Sequence, residues 1–197
     1  IRFEGNGYSD EWVKEAKKRG LSNLRTTPEA LAVFSRNEVV SLFEDLGVLR
    51  KEELAARVEV ELENYIMKRQ IEYRVLLGMC KNSVLPAAIR YQNGLLANVE
   101  QLNSVLGKQA AKFSGAQIEM VKEAGQLIQD LYAATANMEA VHDKAESAKD
   151  ALASAKAFAD KVVPSMDAAA EICAQLESLV DDAEWPLPKF SELLFTR

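Results

Sequence analysis

Long stretches with helical periodicity, and few residues that interrupt a helix, restrict the fold of this chain most. Between Lys51 and Leu106 the only glycines are Gly78 and Gly94, and the only proline is Pro86. The apolar residues in the second half of that stretch recur every three or four positions, at Cys80, Val84, Ala88, Tyr91, Leu95, Val99, Leu102 and Leu106. A mean spacing of about 3.7 residues predicts a nearly straight helix that is packed along its length.

Two further long helices are predicted after this one. The second follows Gly107 and carries Ile118, Val121, Ile128, Leu131, Thr135, Met138 and Val141 on one side. In the third, the spacing alternates between three and four residues, at Leu152, Ala155, Ala159, Val162, Met166, Ala169, Cys173, Leu176 and Val180. Because proline has no amide proton and crowds the preceding turn, Pro86 and Pro164 should bend the first and third helices. The predicted fold is all-α, an elongated antiparallel bundle of about three long, proline-kinked helices.

Short helices with recognisable ends precede the bundle. Ser9 is predicted to cap a first helix that stops at Gly20, and Thr27 to cap a second helix. The sequence "SRNE" (residues 35–38) is typical of a capping box and predicts a third helix, which should end at Gly47.

The first five residues predict a different element. "IRFEG" alternates apolar and polar side chains as a strand does, and no other segment reads as a strand that could pair with it. Because an isolated strand leaves its backbone donors and acceptors unpaired, we expect one residual strand cut from a sheet-containing domain. Gly5-Asn6-Gly7 would then be the turn that leaves this strand.

Three units follow from these patterns. Residues 1–47 are predicted to form a junction segment, and residues 48–184 the long-helix bundle. Residues 185–197 form a tail whose apolar side chains are expected to dock on another surface, namely Trp185, Leu187, Phe190, Leu194 and Phe195.

Composition excludes several classes of function. The 197-residue chain has a net charge of −6 and no basic cluster with interleaved aromatic residues, so we expect no nucleic-acid partner. No apolar run approaches the roughly 18 residues that a membrane-spanning helix needs, so we expect no membrane association. Cys80 and Cys173 lie far apart, without metal-ligand spacing, and are interpreted as small buried side chains in a reducing compartment. These features favour a cytoplasmic protein.

Each chemical candidate has a more economical structural explanation. Gly5-Asn6-Gly7 lacks the lysine of a phosphate loop, and Asp10 would repel phosphate at the following helix. His142 is the only histidine and is interpreted as a solvated helix residue among Glu139, Asp143 and Glu146. The i, i+4 pair Glu59 and Glu63 could serve a two-metal bundle, but only one Glu-x-x-His accompanies it, so helix ion pairing is the better account. We therefore predict no catalytic, cofactor-binding or metal-binding residue in this chain.

Several motifs carry a family resemblance. The stretch "RFEGNGYSDEWVKEAKKRGLSNLRTTPEAL" (residues 2–31) resembles the region that follows the catalytic core of type III glutamine synthetases. The likeness continues through "LFEDLGVLRKEELAARVEVELENYI", "SVLPAAIRYQ" and "VVPSMDAAAE" to "EWPLPKFSELLF". It covers nearly the whole chain in order and is loosest at residues 33–42 and 108–150.

The resemblance implies a longer parent enzyme that joins glutamate and ammonia with ATP and a divalent metal, Mg or Mn. The metal and substrate ligands of that family belong to its catalytic domain, and none maps onto a residue here. The implied role is packing and assembly, with the upstream catalytic domain and neighbouring subunits of a ring-based homo-oligomer as partners. The alternative is a free-standing helical interaction module without ligase activity.

Overall fold

The computed structural model describes residues 3–194, apart from the side chain of Phe190, and every regular element within them is helical. The α-helices are α1 (Asp10–Lys18), α2 (Thr27–Ala32), α3 (Asn37–Asp45), α4 (Lys51–Met79), α5 (Leu85–Leu106), α6 (Gly115–Glu146), α7 (Ala151–Ala157), α8 (Val163–Leu179) and α9 (Phe190–Leu193). Short 3₁₀ turns lie at Val33–Ser35 and Gly107–Lys112. The predicted all-α bundle is confirmed.

Three long helices make up the bundle. The first consists of α4, a π-helical turn at Cys80–Val84 and α5, which run on without a break. The second is α6. The third consists of α7, a π-helical turn at Phe158–Val162 and α8.

Polar contacts between these helices give their directions. Gln70 bonds Glu146 at 2.8 Å, Lys81 bonds Glu139 at 2.6 Å and Gln92 bonds the carbonyl of Val121 at 3.1 Å. One residue number rises as the other falls, so the first and second helices are antiparallel.

Contacts between the second and third helices indicate the same antiparallel relation. Ser154 Oγ donates to the carbonyl of Ala145 at 2.9 Å across the short connection between α6 and α7. The ring of His142 meets Phe158 further along the same two helices, which are therefore antiparallel as well. Hence the first and third helices run parallel to each other, as the predicted up-down-up order requires.

Each proline of the bundle follows a widened helical turn. Pro86 and Pro164 both lie two residues after the last residue of a π-helical turn. The amide of Leu85 bonds the carbonyl of Cys80, and the amide of Val163 bonds the carbonyl of Phe158, five residues back in each case. A proline ring crowds the carbonyl four residues before it, and an extra residue in the preceding turn relieves that crowding. The predicted interruptions at Pro86 and Pro164 therefore take the form of π-turns.

The main core fills the space where the three long helices meet. Its fully buried large side chains include Val84 from the first helix, Leu131 and Met138 from the second, and Phe158 and Leu176 from the third. A smaller cluster of Val58, Leu62 and Ala155, with Leu31 of α2 beside it, fixes the short helices to the start of the bundle.

At the second π-turn, the buried side chain of the third helix differs from the one that the sequence spacing predicts. The sequence spacing predicts Ala159 in the core, but Phe158 is completely buried and Ala159 is only half-buried. Phe158 and Val162, the first and last residues of the π-turn, lie four residues apart on one face and both face inward. Beyond the turn, Ala169, Leu176 and Val180 are buried as predicted.

The predicted ends of the short helices are partly confirmed. Ser9 caps α1, and glycines at positive φ follow α1, α3 and α5, namely Gly20, Gly47 and Gly107. The predicted cap of α2 is wrong by one residue, because Thr26 forms a capping box with Glu29 and Thr27 lies in the first turn. The capping box at residues 35–38 is also wrong, since Ser35 ends a 3₁₀ turn and Arg36 precedes α3.

The described start of the chain contains a turn but no strand. Ile1 and Arg2 lie outside the described residues, and Phe3 and Glu4 do not form a strand, because no strand is available among the described residues to pair with them. The turn at Gly5-Asn6-Gly7 is present: Asn6 Oδ1 accepts the Tyr8 amide at 3.0 Å, and the Asn6 carbonyl accepts the Ser9 amide at 3.1 Å.

The tail docks on the bundle itself through its first residues. Trp185 is buried and Leu187 packs partly against the main core, whereas Leu194 is largely exposed. Arg90 of α5 bonds Glu184 at 2.9 Å and secures this segment. The side chain of Phe190 and all of Phe195, which were expected to dock as well, lie outside the described part of the chain.

Replacing Ala169 by glutamate should destabilise the domain by about 3–5 kcal/mol, because an unpaired carboxylate would be buried. Ala169 has no exposed surface, while its neighbour Ala168 is exposed. Ala168→Glu is therefore the matched control and should change the free energy of unfolding by less than about 0.5 kcal/mol. Denaturant unfolding followed by circular dichroism measures both, and equal stabilities of the two variants would contradict this packing of α8.

Replacing Trp185 by alanine should cost about 3–5 kcal/mol of unfolding free energy, because the indole fills part of the core. Trp185 is 8% exposed and Leu194, in the same tail, is 68% exposed. Leu194→Ala should leave the thermal transition of the chain unchanged. If Trp185→Ala melted like the parent chain, the tail would not be docked as described.

Candidate functional site

His142 lies in the core of the bundle, which corrects the expectation of a solvated helix residue. It is 6% exposed. Its ring stacks on Tyr73 of α4, with centroids 4.0 Å apart and an interplanar angle of 11°. Phe158 of the third helix meets it edge-on at 5.6 Å. Charged neighbours on the same helix suggested solvent, but the ring itself packs inward against Tyr73 and Phe158.

Two carboxylates flank the imidazole from opposite ends. His142 Nε2 lies 3.5 Å from Glu146 Oε1, and Nδ1 lies 3.6 Å from Asp143 Oδ1. Glu146 Oε1 already accepts a hydrogen bond from the side-chain amide Nε2 of Gln70, at 2.8 Å. Among the described residues, Nε2 has no hydrogen-bond partner although it is buried. Burial also raises the pKa of Tyr73, and the nearby carboxylates of Glu139, Asp143 and Glu146 add to the effect.

His142, Asp143 and Glu146 form the one cluster in the described part of the chain with three metal-type ligands close together. Their ligand atoms lie within 4.8 Å of one another. A metal ion binds one nitrogen of an imidazole at about 2.0–2.1 Å. Here the two carboxylates lie nearest to different ring nitrogens, and both are substantially exposed. The cluster does not fit a hard cation such as Mg²⁺, which prefers oxygen ligands in near-octahedral geometry.

The other candidate carboxylates, Glu139, Glu59 and Glu63, do not form a binding site among the described residues. Glu139 pairs with Lys81 across the first and second helices at 2.6 Å. Glu59 and Glu63 are both exposed on α4 and belong to no metal-type cluster of the described residues. Ion pairing on this helix involves Arg69 and Glu72, at 2.5 Å, rather than Glu63.

The two cysteines, which the sequence analysis treated separately, are in contact. Their Sγ atoms are 3.6 Å apart, across the interface between the first and third helices. Cys80 is fully buried and Cys173 is half-buried. The contact between the two thiols lowers the pKa of Cys80 and raises the pKa of Cys173, and burial adds to the increase at Cys173. The 93-residue separation in sequence gives no sign of this pairing.

One face of α4 exposes a row of apolar side chains, which we call the α4 stripe. It consists of Val60, Met67, Ile71, Val75 and Met79. The spacing of seven and then four residues keeps them on one side of the helix. The exposed fractions of Val60, Ile71 and Val75 are 54%, 56% and 56%. The stripe is visible in the sequence, but its exposure depends on which face of α4 packs against the bundle.

An apolar groove adjoins the short helices. It has a volume of about 710 Å³, and its lining includes Leu31 of α2, Phe34 of the following 3₁₀ turn, Phe43 of α3, and Leu54 and Val58 of α4. Leu42, Leu46 and Val48 add further exposed apolar surface on and just after α3. The stripe and the groove are together the candidate functional surface, because they are suited to binding protein and contain no catalytic constellation.

No helix in the described part of the chain combines the length and the hydropathy that crossing a membrane requires.

Comparison with known proteins supports the family resemblance. The family model described as "Glutamine synthetase C-terminal domain" matches residues 1–103. A glutamine synthetase from Bacteroides fragilis (strain YCH46) is 36% identical over 198 residues, covering 100% of this chain and 27% of the relative. A type-3 glutamine synthetase from Dictyostelium discoideum is 31% identical, again over 100% of this chain and 27% of the relative.

A glutamine synthetase from Butyrivibrio fibrisolvens is also 31% identical and covers 100% of this chain and 28% of the relative. The chain thus spans about a quarter of the length of the curated relatives that it matches. The helical architecture and these matches agree with each other. The chain belongs to the glutamine synthetase C-terminal domain family.

Proposed function

We propose that this domain packs against the catalytic part of a type III glutamine synthetase and against neighbouring subunits, and so supports assembly of a ring-based cytoplasmic oligomer. The observation that carries the proposal is the α4 stripe, an apolar helix face that the described residues leave uncovered. Contiguous exposed apolar surface of this kind is typical of interfaces between proteins or domains.

The size of the stripe favours docking within one enzyme over capture of a free partner. Covering the remaining half of one such side chain is worth about 1 kcal/mol, so five contribute on the order of 5 kcal/mol. A free partner must also overcome an association cost of about 4–15 kcal/mol. A surface tethered through the chain to its target avoids most of that cost. This comparison supports the enzyme-bound role over the free-standing interaction module.

The chemistry of the enzyme would reside outside this domain. The parent reaction joins glutamate and ammonia and uses ATP with Mg or Mn. The residues of this domain do not fit those groups. Its best carboxylate cluster surrounds a stacked histidine, and the two carboxylates lie beside different nitrogens of that ring. We therefore assign no step of the reaction to a side chain of this domain.

Charged residues in the α4 stripe should weaken assembly of the full-length enzyme. In the double variant Ile71→Glu/Val75→Glu, each buried carboxylate would oppose docking by several kcal/mol. We expect the enzyme to dissociate from its oligomer, or to lose at least tenfold in subunit affinity, as measured by analytical ultracentrifugation.

The control for this experiment is Ala136→Glu, which adds a charge at an exposed position of α6. It should leave the oligomer mass unchanged. The double variant and the control should both keep the helical circular dichroism of the domain, because the replaced side chains are exposed in the domain itself. An intact oligomer in the double variant would refute a role of the stripe in assembly.

The isolated domain should bind neither ATP–Mg nor glutamate, because it lacks ligands suited to either. Isothermal titration calorimetry of the domain alone should show no saturable heat with millimolar ligand. Full-length enzyme under the same conditions is the positive control. Micromolar binding to the isolated domain would show that part of the nucleotide or substrate site lies within it.

A further inference from the structure

The contact between Cys80 and Cys173 places two thiols at the centre of an interface that otherwise consists of apolar side chains. Cys80 begins the π-turn of the first helix, and its carbonyl accepts the Leu85 amide that closes that turn. Cys173 lies on α8, and both residues belong to the main core, with Cys80 fully buried and Cys173 packed against it. A sulfur-to-sulfur distance of 3.6 Å is van der Waals contact.

We propose that Cys80 and Cys173 form a disulfide site, in which mild oxidation by a peroxide or a low-molecular-weight disulfide links the first long helix to the third. The sulfurs need to approach by about 1.5 Å to reach the bond length of about 2.05 Å. The two residues lie on neighbouring packed helices, and rotation about their side-chain bonds is the movement that the proposal requires. The chain contains two cysteines, so any disulfide within it joins these positions.

The surroundings of the pair give a small oxidant access from one side. Cys173 is half-buried, so a small oxidant can approach the pair from the α8 side. Contact with the Cys173 sulfur lowers the pKa of Cys80, and the thiolate is the form of cysteine that reacts with peroxides and disulfides. Contact between the two sulfurs also means that the second step is intramolecular and fast relative to further oxidation.

The chemistry balances with one oxidant molecule. With hydrogen peroxide, one thiol becomes a sulfenic acid and one water is released; the second thiol then displaces hydroxide, forming the S–S bond and a second water. With glutathione disulfide, a thiolate attacks one sulfur and releases glutathione, and the other cysteine displaces a second glutathione. In both routes the two cysteines are oxidised by two electrons and the oxidant is reduced by two.

Formation of the bond would fix the π-turn to α8. The link would connect residues 93 positions apart and would close a loop that contains the whole second helix. The first and third helices could then no longer separate without breaking a covalent bond, so oxidation should slow unfolding of the bundle.

Peptide mapping of the full-length protein tests the proposal. The protein is treated with hydrogen peroxide or with glutathione disulfide, remaining thiols are alkylated, and trypsin is added without reductant. Trypsin releases Cys80 in peptide 75–81 and Cys173 in peptide 162–189. We expect these two peptides joined, at a mass about 2 Da below the sum of the free-thiol peptides, and separated by dithiothreitol.

A shifted thiol provides the matched control. The double variant C80A/M79C moves the thiol by one residue, about 100° around the helix, to a position that is more exposed. After the same oxidant treatment of the full-length protein it should give no joined peptides. A second control, Cys173→Ser, should leave Cys80 alkylated and unlinked.

Three results would overturn the proposal. Both cysteines could remain alkylatable after oxidant treatment that oxidises a reference dithiol. They could instead carry sulfinic acid or bound glutathione without joining. The shifted thiol of C80A/M79C could cross-link as readily as the parent pair, which would show that contact in the folded bundle does not direct the bond.

Discussion

The structure depends on how the first and third long helices accommodate a proline in their interior. A proline removes one amide donor and crowds the carbonyl four residues earlier, which normally ends a helix. Here each helix gains one residue in the turn before the proline and continues beyond it. Each widened turn sets the rotation of the helix that follows it, and α8, which carries Cys173 to Cys80, follows the second of them.

Much of this architecture could be predicted from the sequence. Apolar spacing located the long helices, and the glycines after α1, α3 and α5 located helix ends because a left-handed terminal residue favours glycine. Buried positions were less predictable. The inward face of the third helix was misplaced at Ala159, because Phe158 and Ala159 both keep a spacing of three or four residues from Ala155 and Val162, and periodicity does not distinguish them.

The candidate surfaces show a different limit. The spacing of Ile71, Val75 and Met79 can be recognised in the sequence, but the same spacing is expected whether this face of the helix is packed or exposed. Which face of α4 is covered depends on contacts with α6 and α7, far away in the chain. His142 was misjudged for the same reason: its charged neighbours are local, whereas Tyr73 and Phe158 that bury it come from other helices.

The parallel arrangement of the first and third helices has a mechanical consequence. Contacts of Cys80 with Cys173 and of Arg90 with Glu184 have offsets of 93 and 94 residues, so Pro86 lies level with about residue 179. The two π-turns are therefore staggered along the bundle by about 20 Å, at roughly 1.5 Å per residue. At the level of each π-turn, the neighbouring long helices are unbroken. The domain should flex little at either proline and transmit force along its length as a stiff strut.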